Sequence, residues 1–226
     1  MAAQLGPNVV LMGDPRVAAV EVRESGESLI DLREYEKIVI SPRKSQENPS
    51  LGLIRAAVGH KLAAASAGLP DGIRLCVVEA YRPPRLQQFY FDGYRNRLAA
   101  DAPDRPDDEL DMLASRFVSP PLVAPHPSGA AVDLTLVDTD GVELDMGTPV
   151  DATPEASDGA CYTDAANLTS MARANRRILS VALTAVGLIN YPTEWWHWSY
   201  GDRYWAMSVQ AAHAHYGPVD DPGATR

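Results

Sequence analysis

The sequence has few cysteines and no long apolar run. Its 226 residues include only Cys76 and Cys161, which exclude a disulfide framework and allow one disulfide at most. No stretch reaches the roughly 18 consecutive apolar residues of a membrane-spanning helix. The first residues contain no basic segment leading into a long apolar stretch, so no secretory signal is predicted. These absences favour a soluble cytoplasmic protein.

Positive charge is also scarce. Twenty Lys and Arg residues face 30 Asp and Glu residues, which leaves a formal net charge of −10. Neither nucleic acid nor an anionic membrane is therefore expected as a partner. Apolar residues make up 46% of the chain, as in globular proteins. The length suits one sizeable core, and we expect a single domain over residues 1–226.

Helices and strands are both predicted, without an internal repeat. Apolar residues at helical spacing predict helices over about 50–67, 85–99, 109–116 and 163–187. Apolar and β-branched runs predict strands over 37–40, 73–79, 130–137 and 191–200. The aromatic residues of the second helix are interpreted as core packing; they are Phe89, Tyr90, Phe91 and Tyr94.

Two short segments contain the residue types of a metal-dependent enzyme. One places Glu194 three residues before His197, within a run of aromatics. The other begins at His126 and ends at Asp133, in a strand of valines and leucines where an unpaired carboxylate is costly. Together the segments supply two imidazoles, one carboxylate ligand and one further carboxylate. This is the set of side chains found in a catalytic zinc site. Such a site has three protein ligands, an open position for water and a nearby base.

The spacing of Glu194 and His197 conflicts with a regular strand. Residues three apart on a strand point to opposite faces of the sheet. The two side chains share a site only if the strand is bulged, or if Glu194 lies in the turn before it. A helix would align them, but Pro192 and the density of aromatics argue against a helix.

These residues resemble the VanX-type D-alanyl-D-alanine dipeptidases, zinc enzymes of the wider D,D-peptidase and Hedgehog-like structural group. The likeness depends on His126 with Asp133, followed in the right order by Glu194-Trp195-Trp196-His197. It covers roughly residues 50–200, while residues 1–40 match weakly. Further matching segments are Ala80–Pro83, Ala131–Leu136, Met146–Thr148 with Asp151, and Asn175–Arg177.

The resemblance implies a fold and a cofactor. The fold is α+β, with a central antiparallel sheet flanked by helices, as in a single Hedgehog-like or D,D-peptidase-like domain. The cofactor is one Zn²⁺ per chain, bound by His126, Asp133 and His197. A tyrosine from the N-terminal part of the chain is expected to help line the pocket.

The resemblance also assigns roles to three other side chains. Glu194 would be the general base and acid, Arg82 would steady the polarised carbonyl oxygen, and Asp151 would bind the ammonium group of the substrate. Two positions depart from the family pattern, since Ala124 replaces the usual serine and Ser128 stands where arginine is frequent. These departures bear on the choice of dipeptide more than on the reaction class.

The implied activity is zinc-dependent hydrolysis of D-Ala-D-Ala, or of a closely related D,D-dipeptide, to free amino acids. The alternatives are a D,D- or L,D-carboxypeptidase acting on cell-wall peptides, a dipeptidase of a specialised metabolic pathway, and a non-catalytic zinc-binding domain. Glu194 and Arg82 argue against the last, because a structural zinc site needs neither. The sequence leaves open the oligomeric state, a homodimer included. It also leaves open whether the role is antibiotic resistance, D-Ala-D-Ala recycling or biosynthesis.

Overall fold

A five-stranded sheet flanked by helices forms the main body of the protein, with a two-stranded sheet beside it. A computed structural model describes residues 9–220. The strands are β1 (Leu29–Asp31), β2 (Ile38–Ile40), β3 (Leu53–Arg55), β4 (Arg74–Glu79), β5 (Ala131–Val137), β6 (Ile189–Tyr191) and β7 (Glu194–Ser199). The helices are α1 (Pro15–Ala18), α2 (Ala56–Ala67), α3 (Pro84–Asp101), α4 (Asp107–Ala114), α5 (Ser170–Ala185) and α6 (Arg203–Ser208). None of these helices is long and apolar enough to cross a membrane.

The larger sheet has the strand order β2-β4-β5-β7-β6. Its neighbouring strands are antiparallel, except that the edge strand β2 pairs with β4 in parallel. The chain runs from β2 to β4 through β3 and α2, and a parallel pair needs a crossover of this kind. The expected α+β fold with a central, mainly antiparallel sheet is confirmed; the parallel edge strand was not foreseen.

The main core lies between one face of this sheet and helices α2 and α5. Leu62 of α2 and Leu179 of α5 are buried in the same apolar cluster as Val132 and Leu134 of β5. Because side chains alternate along a strand, Asp133 points to the opposite face. The helix-covered face therefore supplies most of the apolar burial, and the other face is left for polar side chains.

Two helices and one strand differ from the sequence prediction. α2 begins at Ala56, because the residues before it pair with β1 as strand β3. α5 begins at Ser170, where the side chain of Thr169 accepts a hydrogen bond from the backbone N–H of Ala172. The strand predicted over 191–200 is instead the second arm of a hairpin formed by β6 and β7.

The cysteines make no covalent contribution to the described fold. Cys76 and Cys161 are both buried, and both are free thiols. Burial raises the pKa of each thiol to about 11, so neither is a thiolate near neutral pH. Their role is that of small apolar core residues.

A buried arginine on α5 holds the irregular segment that precedes this helix. The guanidinium of Arg176 donates hydrogen bonds to the carbonyl oxygens of Met146 at 2.8 Å, Tyr162 at 2.6 Å and Ala160 at 2.7 Å. The side chain also lies over the ring of Trp195 on β7. Burial lowers the pKa of Arg176 to about 10, yet the group stays charged near neutral pH. It therefore connects residues 146–162 to the sheet.

We predict that Arg176→Met lowers the free energy of unfolding by about 3 kcal/mol or more, because three buried carbonyl groups lose their donor. The neighbouring Arg177→Met is the matched control, since Arg177 is exposed on the same helix. It should change stability by less than about 0.5 kcal/mol. Urea unfolding of both variants measures the difference. Equal stabilities would contradict a clamping role for Arg176.

Candidate active site

Three neighbouring strands each place one polar side chain in a single row. Asp133 on β5 is paired with Glu79 on β4 and with His197 on β7. A register shift in β4 between Val77 and Glu79 produces this pairing, because a regular ladder would put Val78 opposite Asp133. Paired residues lie on the same face of a sheet, so the three polar side chains converge. The row forms the floor of the site.

A short 3₁₀ turn brings His126 to the same floor. The turn spans His126–Ser128 and ends at Gly129, whose φ is 66°. A Cβ on Gly129 would lie 2.5 Å from Leu29, so glycine is required by both conformation and space. The Nδ1 of His126 donates to the carbonyl oxygen of Ala80 at 2.6 Å. This bond fixes the tautomer and leaves Nε2 as a lone-pair donor.

His126, Asp133 and His197 form a compact buried triangle. Nε2 of His126 lies 3.2 Å from Nδ1 of His197, and each imidazole nitrogen faces one oxygen of Asp133, at 3.3 Å and 3.0 Å respectively. Within residues 9–220, no other group of three or more His, Cys, Asp and Glu side chains has ligand atoms close enough together to hold a metal ion.

The triangle fits a tetrahedral metal ion. Bonds of about 2.0–2.1 Å to zinc separate neighbouring ligand atoms by about 3.3 Å, close to the spacings observed. Burial opposes charge on Asp133, but the two imidazoles outweigh it and hold the pKa of Asp133 well below its usual value. When both imidazoles are neutral, as metal ligands are, a carboxylate and two nitrogen lone pairs face one another within a buried space. A cation would satisfy all three.

The hairpin between β6 and β7 brings Glu194 onto the face that His197 occupies. Asn190 pairs with Trp198, while the next residue of β6, Tyr191, pairs with Glu194. Three residues of β7 thus have no counterpart on β6, and the strand is widely bulged. As a result, Oε2 of Glu194 lies 3.7 Å from Nδ1 of His197. The conflict posed by a regular strand is resolved by a bulge.

The side chain of Asn190 stabilises this bulge. Its Nδ2 donates to the carbonyl oxygens of Glu194 at 2.9 Å and His197 at 3.0 Å, and its Oδ1 accepts from the hydroxyl of Thr163. The amide thus replaces donors that a regular β6 backbone would supply. Sequence reasoning missed Asn190 because it lies outside the motif that contains Glu194 and His197.

Glu79 is the centre of a buried ion-pair network, which the sequence did not indicate. Its Oε2 accepts from Arg82 at 2.6 Å and Lys44 at 2.9 Å, and its Oε1 accepts from Asn48 at 2.8 Å. Burial would raise the pKa of Glu79, but Arg82 and Lys44 outweigh it and lower the pKa to about 2. Lys44 also lies 2.9 Å from Asp151, so the network extends to the rim of the cleft.

Arg82 is held in place from several sides. Its Nη1 donates to Gln87 of α3 at 2.8 Å, and its guanidinium lies over the ring of Tyr90, 4.9 Å from the centroid. Nη2 also lies 3.6 Å from Asp133. The buried Nε has no hydrogen-bond partner among the described residues. The guanidinium is thus held beside the triangle, and one of its N–H groups is left unpaired.

A cleft of about 410 Å³ opens above this floor. The candidate residues Arg82, His126, Asp133, Asp151, Glu194 and His197 all line it. Lys44 also lines it. The tyrosine expected from the N-terminal part does not, because Tyr35, the one tyrosine of the first 40 residues, packs against the core. Ala124 and Ser128, where the sequence departs from the family pattern, are not among the lining residues.

The aromatic residues of α3 do not all belong to the core. Phe91 and Tyr94 are buried, as expected, but Phe89 is 68% exposed. Phe89, Tyr90 and Tyr94 line the cleft. The interpretation of Phe89 as a core residue is therefore wrong. The spacing of apolar residues could not distinguish a cleft wall from a core contact.

Comparison with known families assigns the chain to one of them. The peptidase M15 family, described as D-Ala-D-Ala dipeptidase, matches residues 43–216. The chain belongs to this family. The matched region includes Lys44, near its beginning, and His197, near its end. It thus contains every residue of the cleft named above.

Two family relatives share moderate identity with the chain. A D-alanyl-D-alanine dipeptidase of Synechocystis sp. is 29% identical, over 74% of this chain and 79% of the relative. A D-alanyl-D-alanine dipeptidase of Escherichia coli K12 is also 29% identical, over 56% of this chain and 55% of the relative.

Among solved structures, the vancomycin-resistance D,D-pentapeptidase VanY in complex with Zn(II) is 16% identical, covering 88% of this chain and 96% of that one. The TM-score of this pair is 0.43.

We predict that Asn190→Asp weakens Zn²⁺ binding by about 10–100-fold, because an oxygen replaces the amide donor that holds the carbonyl groups of Glu194 and His197. The matched control is Asn167→Asp, since Asn167 Nδ2 likewise donates to a backbone carbonyl, that of Asp158, on the surface. Competition with a chromophoric chelator measures the affinity. Equal effects of the two substitutions would contradict the proposed positioning.

Proposed function

We propose that this protein hydrolyses D-Ala-D-Ala, or a closely related D,D-dipeptide, to free amino acids in a zinc-dependent reaction. One observation carries the proposal: the triangle of His126, Asp133 and His197 shares a cleft with Glu194, 3.7 Å from the nearest imidazole nitrogen. Membership of the peptidase M15 family and the names of two relatives agree with this reaction.

The three residues of the triangle would hold the zinc ion. Zinc, when bound, supplies a Lewis acid that polarises a carbonyl group and lowers the pKa of water. His126 enters this arrangement in a defined tautomer because its Nδ1 donates to Ala80. Asp133 contributes a carboxylate, since its pKa lies well below the usual value despite burial. One zinc per chain is expected from this set.

Glu194 would transfer the protons of the reaction. It accepts a proton from the attacking water and passes it to the amine that leaves. Burial and the negative charges of Asp133 and Asp151 raise the pKa of Glu194 well above its usual value, against the opposing effect of Arg82 and Lys44. A carboxylate that gains a proton readily suits this double role.

Arg82 would stabilise the charge that develops on the carbonyl oxygen. Its guanidinium is buried beside Asp133, and its Nε has no partner among the described residues. The contacts to Glu79, Gln87 and the ring of Tyr90 fix the guanidinium before the substrate arrives. Donors fixed in this way need no reorganisation during the reaction.

Asp151 would bind the free ammonium group of the dipeptide. The residue lines the cleft, and its side chain is 39% exposed and paired with Lys44. Its φ of 66° is unusual for a residue other than glycine and fixes the direction of the side chain. An incoming ammonium group would share the carboxylate with Lys44, and an acylated amine could not.

We further propose that the described chain is a single catalytic domain. Its N-terminal part is hydrogen-bonded to residues far along the chain. The backbone N–H of Met12 donates to the hydroxyl of Tyr191, and the backbone N–H of Arg23 donates to the carbonyl oxygen of Ala214. The cytoplasmic location, and a role in the cell wall or in antibiotic resistance, stay predictions of the sequence.

We predict that Glu194→Gln retains one zinc per chain but lowers turnover of D-Ala-D-Ala by about 100-fold or more, because the amide cannot accept a proton. His197→Ala should lose stoichiometric zinc, because one of three ligands is missing. Elemental analysis and a turnover assay separate the two effects. Full activity of Glu194→Gln, or full zinc content of His197→Ala, would refute the corresponding role.

We predict that the enzyme cleaves D-Ala-D-Ala at least about 30-fold better than its N-acetyl form, because acylation leaves Asp151 without the ammonium group. Asp151→Asn should reduce this preference. Asp145→Asn is the matched control, since Asp145 is exposed in the same segment and does not line the cleft. The measurement is kcat/KM for D,D, L,D and L,L dipeptides and their N-acetyl forms. Equal rates on free and acetylated D-Ala-D-Ala would favour a carboxypeptidase instead.

A further inference from the structure

One side of the cleft is an aromatic wall, most of which the proposed chemistry does not use. The wall consists of Phe89, Tyr90 and Tyr94 on α3, with Phe117 beyond α4. It lies next to the reactive residues, because the ring of Tyr90 contacts the guanidinium of Arg82. Tyr90 helps to fix Arg82, but no role proposed for hydrolysis needs Phe89, Tyr94 or Phe117. Their position demands another explanation.

The inner part of the wall is rigid. The rings of Tyr94 and Phe117 meet edge to face with centroids 5.0 Å apart, and the hydroxyl of Tyr94 donates to Glu155 at 2.7 Å. Tyr94 is buried in a cluster with Ala114 and Val118. Phe89 instead exposes 68% of its surface at the mouth of the cleft. A fixed apolar surface with one exposed ring is suited to receiving another apolar group.

Gly93 leaves open space in the middle of this wall. It lies within α3, where glycine costs about 0.5–1 kcal/mol relative to alanine. No atom lies within 4 Å of the position that a Cβ would occupy, and its φ is not in the left-handed region. Neither close packing nor backbone conformation therefore requires glycine here. Because Gly93 lines the cleft, the missing side chain leaves room there.

We propose that the aromatic wall and the space beside Gly93 form a subsite for a large apolar or aromatic side chain on one residue of the dipeptide. The proposal rests on the proposed function and extends it to the substrate class. Clefts of about 300–1,000 Å³ hold drug-sized ligands. The cleft here measures about 410 Å³, more than two alanine residues need. Rings on the wall would pack against a substrate ring and remove Phe89 from water.

The test compares kcat/KM for D-Ala-D-Ala, D-Ala-D-Phe and D-Phe-D-Ala with the zinc-loaded protein. We expect at least one aromatic dipeptide to be preferred by about 10-fold or more, as apolar pockets allow. The isomer that is preferred identifies which residue of the dipeptide faces the wall. If neither aromatic dipeptide is preferred over D-Ala-D-Ala by about tenfold, the proposal is overturned.

Filling the open space supplies a second arm. Gly93→Leu introduces a good helix former and should lower kcat/KM for the preferred aromatic dipeptide at least about tenfold more than for D-Ala-D-Ala. Gln88→Leu is the matched control, because Gln88 is exposed on the same helix and does not line the cleft. It should leave the preference unchanged. Equal changes in preference for both variants would also overturn the proposal.

Calorimetric binding to zinc-loaded Glu194→Gln separates this proposal from the proposed function. If no dipeptide is hydrolysed, the proposed reaction fails, but binding still reports on the subsite. Aromatic dipeptides that bind about tenfold more tightly than D-Ala-D-Ala would support the subsite in either case. Equal binding of the three dipeptides, or no binding of any, would overturn it.

Discussion

The pairing of Asp133 with residues on both neighbouring strands is the constraint on which the site depends. Its register with Glu79 and His197 puts three ionisable groups on one face of the sheet, where water is largely excluded. A shift of one residue in either strand would turn these side chains toward the apolar core. The core packing on the opposite face, through Val132 and Leu134, therefore holds the register that the site needs.

Buried charges on this face are tolerated because each has a partner. Glu79 accepts from both Lys44 and Arg82, and each oxygen of Asp133 lies within 3.3 Å of a histidine nitrogen. Removing one member of such a set leaves a neighbour buried without compensation, which is costly. The same contacts orient the groups before the substrate binds. Stability and preorganisation therefore have the same physical origin here.

The residues nearest the chemistry were predictable from the sequence, but the residues that hold them in position were not. His126, Asp133, Glu194 and His197 occur in short segments with informative spacing, and the α+β fold followed from the resemblance that these segments support. The need for a bulge at Glu194 followed from strand geometry alone. The assignment of roles to these residues stays a prediction.

The residues that sequence reasoning missed act through long-range contacts. Asn190 reaches the backbone of the bulge, and Lys44 reaches Glu79 from the segment between β2 and β3. The register shift in β4 and the exposure of Phe89 depend on which elements pack together, which periodicity does not reveal. The helical spacing of apolar residues also predicted too early a start for α2, because the residues before Ala56 pair with β1 as strand β3.

Anomalous diffraction at the zinc absorption edge, from crystals of the zinc-loaded protein, tests the central claim most directly. The account predicts a single strong peak enclosed by Nε2 of His126, the carboxylate of Asp133 and Nδ1 of His197. It would be contradicted by the absence of a peak there, or by zinc bound elsewhere.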